Sequence, residues 1–230
     1  MDNIVSGVGV IDKSMAIVDA LAVKPLALAE LASVTGLNRA TAHRLAVALE
    51  QHRMVRRIGD GRFALGYRFL FVAQQIDGLG PLIDAAQPHL RNLSDLLGES
   101  SQLYVLDRNE RVCVAVAESE HGLRTIVPVG ARLTLERGSA GAVLGERVGP
   151  TEYAVSIGER EDGVASVSCA VVGLDGSVIA ALSVSGPIER MGAEPGGVFG
   201  PVLLTEAAGL SDSYSSRSTT STESVPPGAS

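Results

Sequence analysis

LAELASVTGLNRATAHRLAVALEQ, residues 28–51, decides how the first part of the chain folds. Leu28, Leu31 and Ala32 share one helical face, and Gly36 supplies the stop for a helix over 28–35. Asn38 can then cap a second helix, its side-chain oxygen accepting a backbone N–H of the first turn. In that helix Ala42, Leu45, Ala46 and Leu49 stand at i, i+3, i+4 and i+7, an apolar stripe that must pack inward. At ~100° per residue the opposite side carries Ala40, His43, Arg44, Val47 and Gln51, with Arg39 and Thr41 on its flanks. A helix, a Gly-containing turn and a helix with small and cationic residues outward is the helix-turn-helix arrangement.

Working outward, Ile11, Met15, Val18 and Leu21 recur at helical spacing until Lys24-Pro25, which predicts a preceding helix. On the other side, Met54 to Ile58 and Arg62 to Leu65 read as strands around Gly59-Asp60-Gly61. That hairpin completes a winged helix edged by Arg56, Arg57 and Arg62. Residues 67–76 are helical in pattern and end at Gly78-Leu79-Gly80-Pro81, the sign of a linker helix and a boundary.

The second part opens with a helix from Leu82 to Leu97, closed by Gly98. Strand-like runs follow at Ser101 to Leu106, Arg111 to Ala117, Arg124 to Pro128, Val164 to Val172 and Val178 to Ser185, with Leu174-Asp175-Gly176 as a hairpin turn. An antiparallel sheet flanked by helices makes this an α+β domain. Val202 to Leu210 has the pattern of a last short helix. From Ser211 onward eleven of twenty residues are Ser or Thr, which predicts a disordered tail.

The 230 residues carry a net charge of −7, but unevenly. Residues 1–76 hold nine Lys/Arg against six acids, a net +3, leaving ten Lys/Arg against twenty acids, or −10, for the rest. A basic head on an acidic body fits a nucleic-acid-binding module joined to a domain with another task. No run of ~18 apolar residues predicts a membrane span, and no basic patch plus apolar run predicts a secretory signal, so a cytoplasmic chain without a membrane partner is expected. Aromatics are 3% and Trp is absent, which argues against stacking platforms for single strands.

Two cysteines, Cys113 and Cys169, form no disulfide framework and no metal-ligand spacing, so they read as small buried hydrophobes. Neither a metal nor a cofactor is expected. His43, His52 and His89 sit on helices of the head or on the first helix of the second part, and there is no GxSxG, Walker A or GxGxxG. The sequence therefore does not read as an enzyme, although acids such as Glu159 and Asp162 leave a small hydrolase as a further alternative.

Taken together, Asp12-Lys13-Ser14, the helix-turn-helix stretch, the wing VRRIGDGRFALG, and the blocks EREDGVASVSCAV and ALSVSGPIER resemble the IclR family of bacterial transcriptional regulators. The likeness is strongest to an actinobacterial branch that controls leucine and methionine biosynthesis genes. It implies a winged helix-turn-helix domain over 1–66, a linker helix over 67–80, a GAF-like effector domain over 81–191 and a divergent tail over 192–230. It further implies a double-stranded DNA operator read by Asn38, Arg39, Thr41, His43 and Arg44, with Arg56, Arg57 and Arg62 on phosphates. A homodimer, or a tetramer of such dimers, is the expected assembly.

By position, the resemblance places Ala140, Gly141, Ser156, Val164, Ser166, Ser168 and Ser183 around an effector, an amino acid or a 2-oxo acid. Helix-start N–H groups over 139–141 would suit its carboxylate, and hydroxyls on alternate strand positions would face it together. Members of the family usually carry some forty more residues after GSAGAVLGERVG, whereas this chain passes directly through Val148-Gly149-Pro150. Such a deletion predicts a solvent-open pocket and weak binding. It also keeps open an alternative, a constitutive DNA-binding module with an inert sensor.

Overall fold

The computed structural model describes residues 6–76 and 78–222, with side chains up to 216. The chain divides into two compact units, Met1–Asp77 and Gly78–Ser230.

Among its described residues the first unit has four helices and a small hairpin. Helix α1 spans Gly9–Val23, α2 Leu28–Thr35 and α3 Arg39–Gln51. Strand β1 (Val55–Arg57) pairs antiparallel with β2 (Phe63–Leu65), and Phe63 also bridges to Leu26. The strands are thus three residues each, shorter than the sequence runs, because Ile58 and Arg62 belong to the turn: Ile58 donates its N–H to the carbonyl of Arg62. One core holds the unit together, formed by Ile17, Leu21, Leu26, Leu31, Leu45, Ala46, Val55 and Phe63. On α1 the inward residues are Ile17, Val18 and Leu21, while Ile11 and Met15, expected inside, are 53% and 46% exposed. Helix α4 (Arg68–Gln74) is shorter than the linker-helix pattern and buries no residue.

In the second unit, α5 runs Leu79–Leu97 and starts three residues before the Leu82 expected, because Gly78 takes a left-handed conformation and Pro81 in the first turn needs no N–H partner. Strands β3 (Ser100–Asp107), β4 (Glu110–Ala117), β5 (Arg132–Thr134), β6 (Tyr153–Ile157), β7 (Val164–Val172) and β8 (Val178–Pro187) build one antiparallel sheet in the order β5-β4-β3-β8-β7-β6. The run Arg124 to Pro128 is not a strand. Pro128 has no N–H to donate, and a turn at Gly130 (φ 87°) intervenes before Arg132 reaches the register of β4.

Alternation along the strands sends Ala165, Val167, Cys169 and Val171 of β7 and Ala180, Leu182 and Val184 of β8 to one face, where α5 and α8 cover them. Their neighbours Ser166, Ser168, Ser183 and Ser185 point to the other face, where α6 (Ser139–Leu144) lies.

Helix α8 corrects the expected tail. Instead of a short helix followed by disorder, Pro195–Thr222 is helical; residues 223–230 lie outside the described residues. Phe199, Leu203, Ala207 and Leu210 form its buried stripe. Ser211, first of the Ser/Thr-rich run, accepts a hydrogen bond from Val172 N–H at 2.9 Å at the end of β7. Two of its glycines are packing devices: a Cβ at Gly196 or Gly200 would lie 2.7 or 2.6 Å from the Tyr153 ring. Gly is needed there because the helix backbone rests on an aromatic face. The short α7 (Ile188–Met191) precedes it, and Arg190 grips the buried Glu99 through two guanidinium bonds of 2.5 and 2.7 Å.

Candidate DNA-binding face and hydroxyl-lined cavity

The turn between α2 and α3 is fixed at both ends. Gly36 (φ 67°) stops α2 in the left-handed conformation that favours glycine, with its N–H on Ser33 O. The Asn38 side chain then accepts the N–H of Thr41 at 2.8 Å. Asn38, predicted as a DNA contact, therefore serves first as the N-cap that aims α3. From that cap onward Arg39, Ala40, His43 and Arg44 are exposed, Thr41 is half-buried, and Ala42, Leu45 and Ala46 are buried. Among the described residues, Arg39, His43 and Arg44 make no ion pair. Three donors consequently project from one helical face.

The wing cations are less free than the sequence implied. Arg57 pairs with Glu50 at 3.3 Å and lies over the Phe63 ring, and Arg62 pairs with Asp60 at 2.5 Å. Arg56 donates to Leu65 O and covers Tyr67. Exposed pairs of this kind are worth ~0–1 kcal/mol, so a phosphate can compete for the same guanidinium. Two further cations, Arg53 and Arg68, join Arg56 and Arg57 around a recess of about 860 Å³ in this unit. The sequence reading passed over both, since neither lies on the helix face or the hairpin that carried the argument.

In the second unit, Ser139 at the start of α6 bonds to Ser166 and Ser168, each at 2.7 Å, and Ser168 donates to Ser183 at 2.9 Å. Ser185 reaches Gln102 at 3.1 Å. This hydroxyl chain borders a cavity of about 20 Å³ lined by Tyr104, Arg111, Gly138, Ser139, Ala140, Ser156, Arg160, Val164, Ser166, Ser183 and Ser185. Five of the seven expected pocket residues are here: Ala140, Ser156, Val164, Ser166 and Ser183. The other two stand behind the wall, Ser168 as a fully buried link in the chain and Gly141 where a Cβ would meet Leu135 O and Arg111.

The volume has room for about a single water, too little for an amino acid as the lining residues stand. Just before the 139–141 groups expected to meet a carboxylate, the N–H of Gly138 donates to the Glu159 carboxylate at 2.9 Å. Arg111 was not anticipated, because a cation at the head of an apolar strand reads as a surface residue. Burial raises the pKa of Tyr104, also lining the cavity, and pushes the thiols of Cys113 and Cys169 up to about 12. Both thiols are fully buried, as expected of small hydrophobes.

Among the described residues no group of three or more His, Cys, Asp and Glu could hold a metal ion, and no helix is long and apolar enough to cross a membrane.

A winged helix-turn-helix unit and an antiparallel-sheet unit define a two-part regulator architecture. The chain belongs to the IclR family: residues 10–59 match the IclR helix-turn-helix domain, and 77–152 and 146–211 match the C-terminal domain of the bacterial transcriptional regulator IclR. It is 31% identical over 119 residues to the transcriptional repressor IclR of Escherichia coli, covering 50% of this chain and 43% of that one. It is 32% identical over 173 residues to the HTH-type transcriptional regulator TtgV of Pseudomonas putida, covering 67% and 60%. Such matches span about half the length of several curated relatives. These relatives are regulators, not enzymes. The fold is shared with the Thermotoga maritima IclR structure (TM-score 0.70, 21% identity, 90% of this chain and 99% of that one). It is likewise shared with an IclR homologue from Microbacterium hydrocarbonoxydans complexed with 4-hydroxybenzoate (TM-score 0.70, 21% identity, 89% and 98%).

Proposed function

We propose that this chain is a DNA-binding transcriptional regulator of amino-acid metabolism genes, of the leucine and methionine branch, that occupies a double-stranded operator as a homodimer and represses. The observation that carries the reading is the unpaired set Arg39, His43 and Arg44 on the exposed face of a helix aimed by the Asn38 cap. Arg can bond guanine O6 and N7 bidentately, and Thr41 can bond a phosphate or a base edge. Arg56, Arg57 and Arg62, with Arg53 and Arg68, add phosphate affinity without sequence choice. Exposed apolar residues on and beside α4, namely Tyr67, Leu70, Phe71, Val72 and Ile76, support self-association. A two-fold dimer would set two α3 helices one DNA turn apart on a pseudo-palindrome.

The effector site is the hydroxyl-lined cavity of the second unit, with an amino acid or 2-oxo acid as ligand. The bound 4-hydroxybenzoate of a fold relative, itself a carboxylate, supports a ligand in this kind of domain. A ligand shifts operator affinity by its differential affinity for two arrangements of the chain. The family C-terminal domain matches in two stretches that meet within 146–152, which supports a missing segment at Val148-Gly149-Pro150. The small cavity favours a second reading, a constitutive DNA-binding module with an inert sensor.

Footprinting on genomic fragments, with and without leucine, methionine and their 2-oxo acids, tests both. Protection that ligands alter supports the regulated form, protection indifferent to every ligand supports the constitutive one, and no protected duplex overturns the proposal.

A further inference from the structure

We propose that Arg111 is the specificity-determining residue of this cavity, a guanidinium held without a counter-ion so that a small carboxylate can supply it. The proposal rests on the effector reading of the cavity and names the charge of its ligand. Arg111 opens the apolar stretch of β4 and is only 3% exposed. Its Nη1 donates to two carbonyls, Thr134 O at the end of β5 at 2.7 Å and Arg137 O in the loop beyond at 2.5 Å, which orient the group without neutralising it. Its Nε is buried and has no partner. Among the described residues Arg111 makes no ion pair, and the other charged groups nearby do not supply one. Arg160, on the same cavity, pairs with Glu161 at 3.4 Å, and Glu159 accepts from Gly138 N–H without coming within ion-pair distance of Arg111.

A buried charge left unpaired costs several kcal/mol, and proteins normally avoid it by pairing the ion or replacing it. Here the surroundings suit an arriving anion. Ser139, Ser166, Ser183 and Ser185 line the same cavity, and Ser166 and Ser183, acceptors in the hydroxyl chain, each keep a proton to donate. Burial, the largest cause, lowers the pKa of Arg111; Tyr104, whose ring lies 5.6 Å from the guanidinium, opposes the shift, and the charges of Arg160 and Arg147 add to it. Bound carboxylate would relieve that repulsion. With room for about one water, the carboxylate group enters by displacing solvent and the rest of the ligand requires the wall to open.

The test is the ratio of affinities for an acid and its primary amide, measured by calorimetry on the full chain. The probes are leucine and its 2-oxo acid, each against the corresponding amide, with chloride as a generic anion. Wild type should prefer each acid ~10- to 100-fold, the range of a hydrogen bond to a charged group. Arg111→Gln should bring that ratio to near one, and Arg111→Lys should keep part of it. Because Arg111 also holds the 134–137 loop, total affinity and stability fall in either variant, so the ratio is the informative reading. If Arg111→Gln does not fold, Nε-detected NMR of wild type replaces it: the Arg111 resonance should move with acid and stay with amide. Equal binding of acids and amides by wild type, an unchanged ratio in folded Arg111→Gln, or a stationary resonance under bound acid overturns the assignment while leaving the effector site intact. Chloride matching the acids would mean a non-selective anion hole and overturn the carboxylate assignment. Binding of none of the probes overturns the effector reading together with this one, without touching DNA binding.

Discussion

Replacing Leu203 by alanine asks whether α8 belongs to the core or trails from it. Leu203 is 0% exposed and sits in the cluster that joins α8 to Val167, Cys169 and Leu182 of the sheet. Three carbons leave a closed site, a transfer loss of ~2.4 kcal/mol at ~0.8 kcal/mol per carbon, and the unfilled space brings the cost to ~3 kcal/mol. For a unit of this size each kcal/mol moves the melting temperature by ~2–4 °C, so Leu203→Ala should lower it by ~6–12 °C. The control is Val198→Ala on the same helix. Val198 is 64% exposed, and its loss should cost under ~0.5 kcal/mol. Calorimetry of the full chain reads both. If Leu203→Ala melts with Val198→Ala, the helix contributes no core and the packing described for the second unit is wrong.

Arg57→Ala should weaken binding to every duplex alike and flatten the plot of log K against log salt by ~0.9, since one phosphate contact is lost; an unchanged slope removes Arg57 from the phosphate set. Phe71→Glu should yield monomers in sedimentation and lose operator binding without unfolding, because Phe71 is 63% exposed; an unchanged dimer moves the interface elsewhere. Cys113 and Cys169 should resist alkylation at neutral pH in the native chain and react once it unfolds. Burial pushes both thiols up to about 12 from an ordinary 9.0, so the native chain keeps protons that the unfolded chain releases. Stability supplied by the two thiols is therefore complete below ~9 and falls as pH rises from there toward 12. Rapid native-state labelling at pH 7 would refute their burial.

The head was legible because each of its signals is local. Gly36, Asn38 and the apolar stripe from Ala42 to Leu49 specify the turn and the inward face with no knowledge of other parts of the chain. In the second unit the family resemblance supplied the cavity positions, and period-two alternation accounts for Ser166 and Ser183 of β7 and β8 facing it together. Arg111 was not legible, since its burial depends on carbonyls at Thr134 and Arg137, more than twenty residues away. Helix α8 was hidden by glycines that look like helix breakers until Tyr153 is seen beneath Gly196 and Gly200. Ser and Thr beyond Ser211 suggested disorder because composition is blind to a single bond such as that from Val172 to Ser211.

Operator selection from a random duplex pool, followed by binding of the selected site with wild type and Arg44→Ala, tests the central claim most directly. Wild type should enrich a pseudo-palindrome whose half-sites lie ~34 Å apart, and Arg44→Ala should lose ~1–3 kcal/mol on it and relax choice at one base pair per half-site. A pool that enriches no duplex, or an Arg44→Ala chain that binds as tightly and as selectively as wild type, would contradict the assignment of α3 as the reading helix.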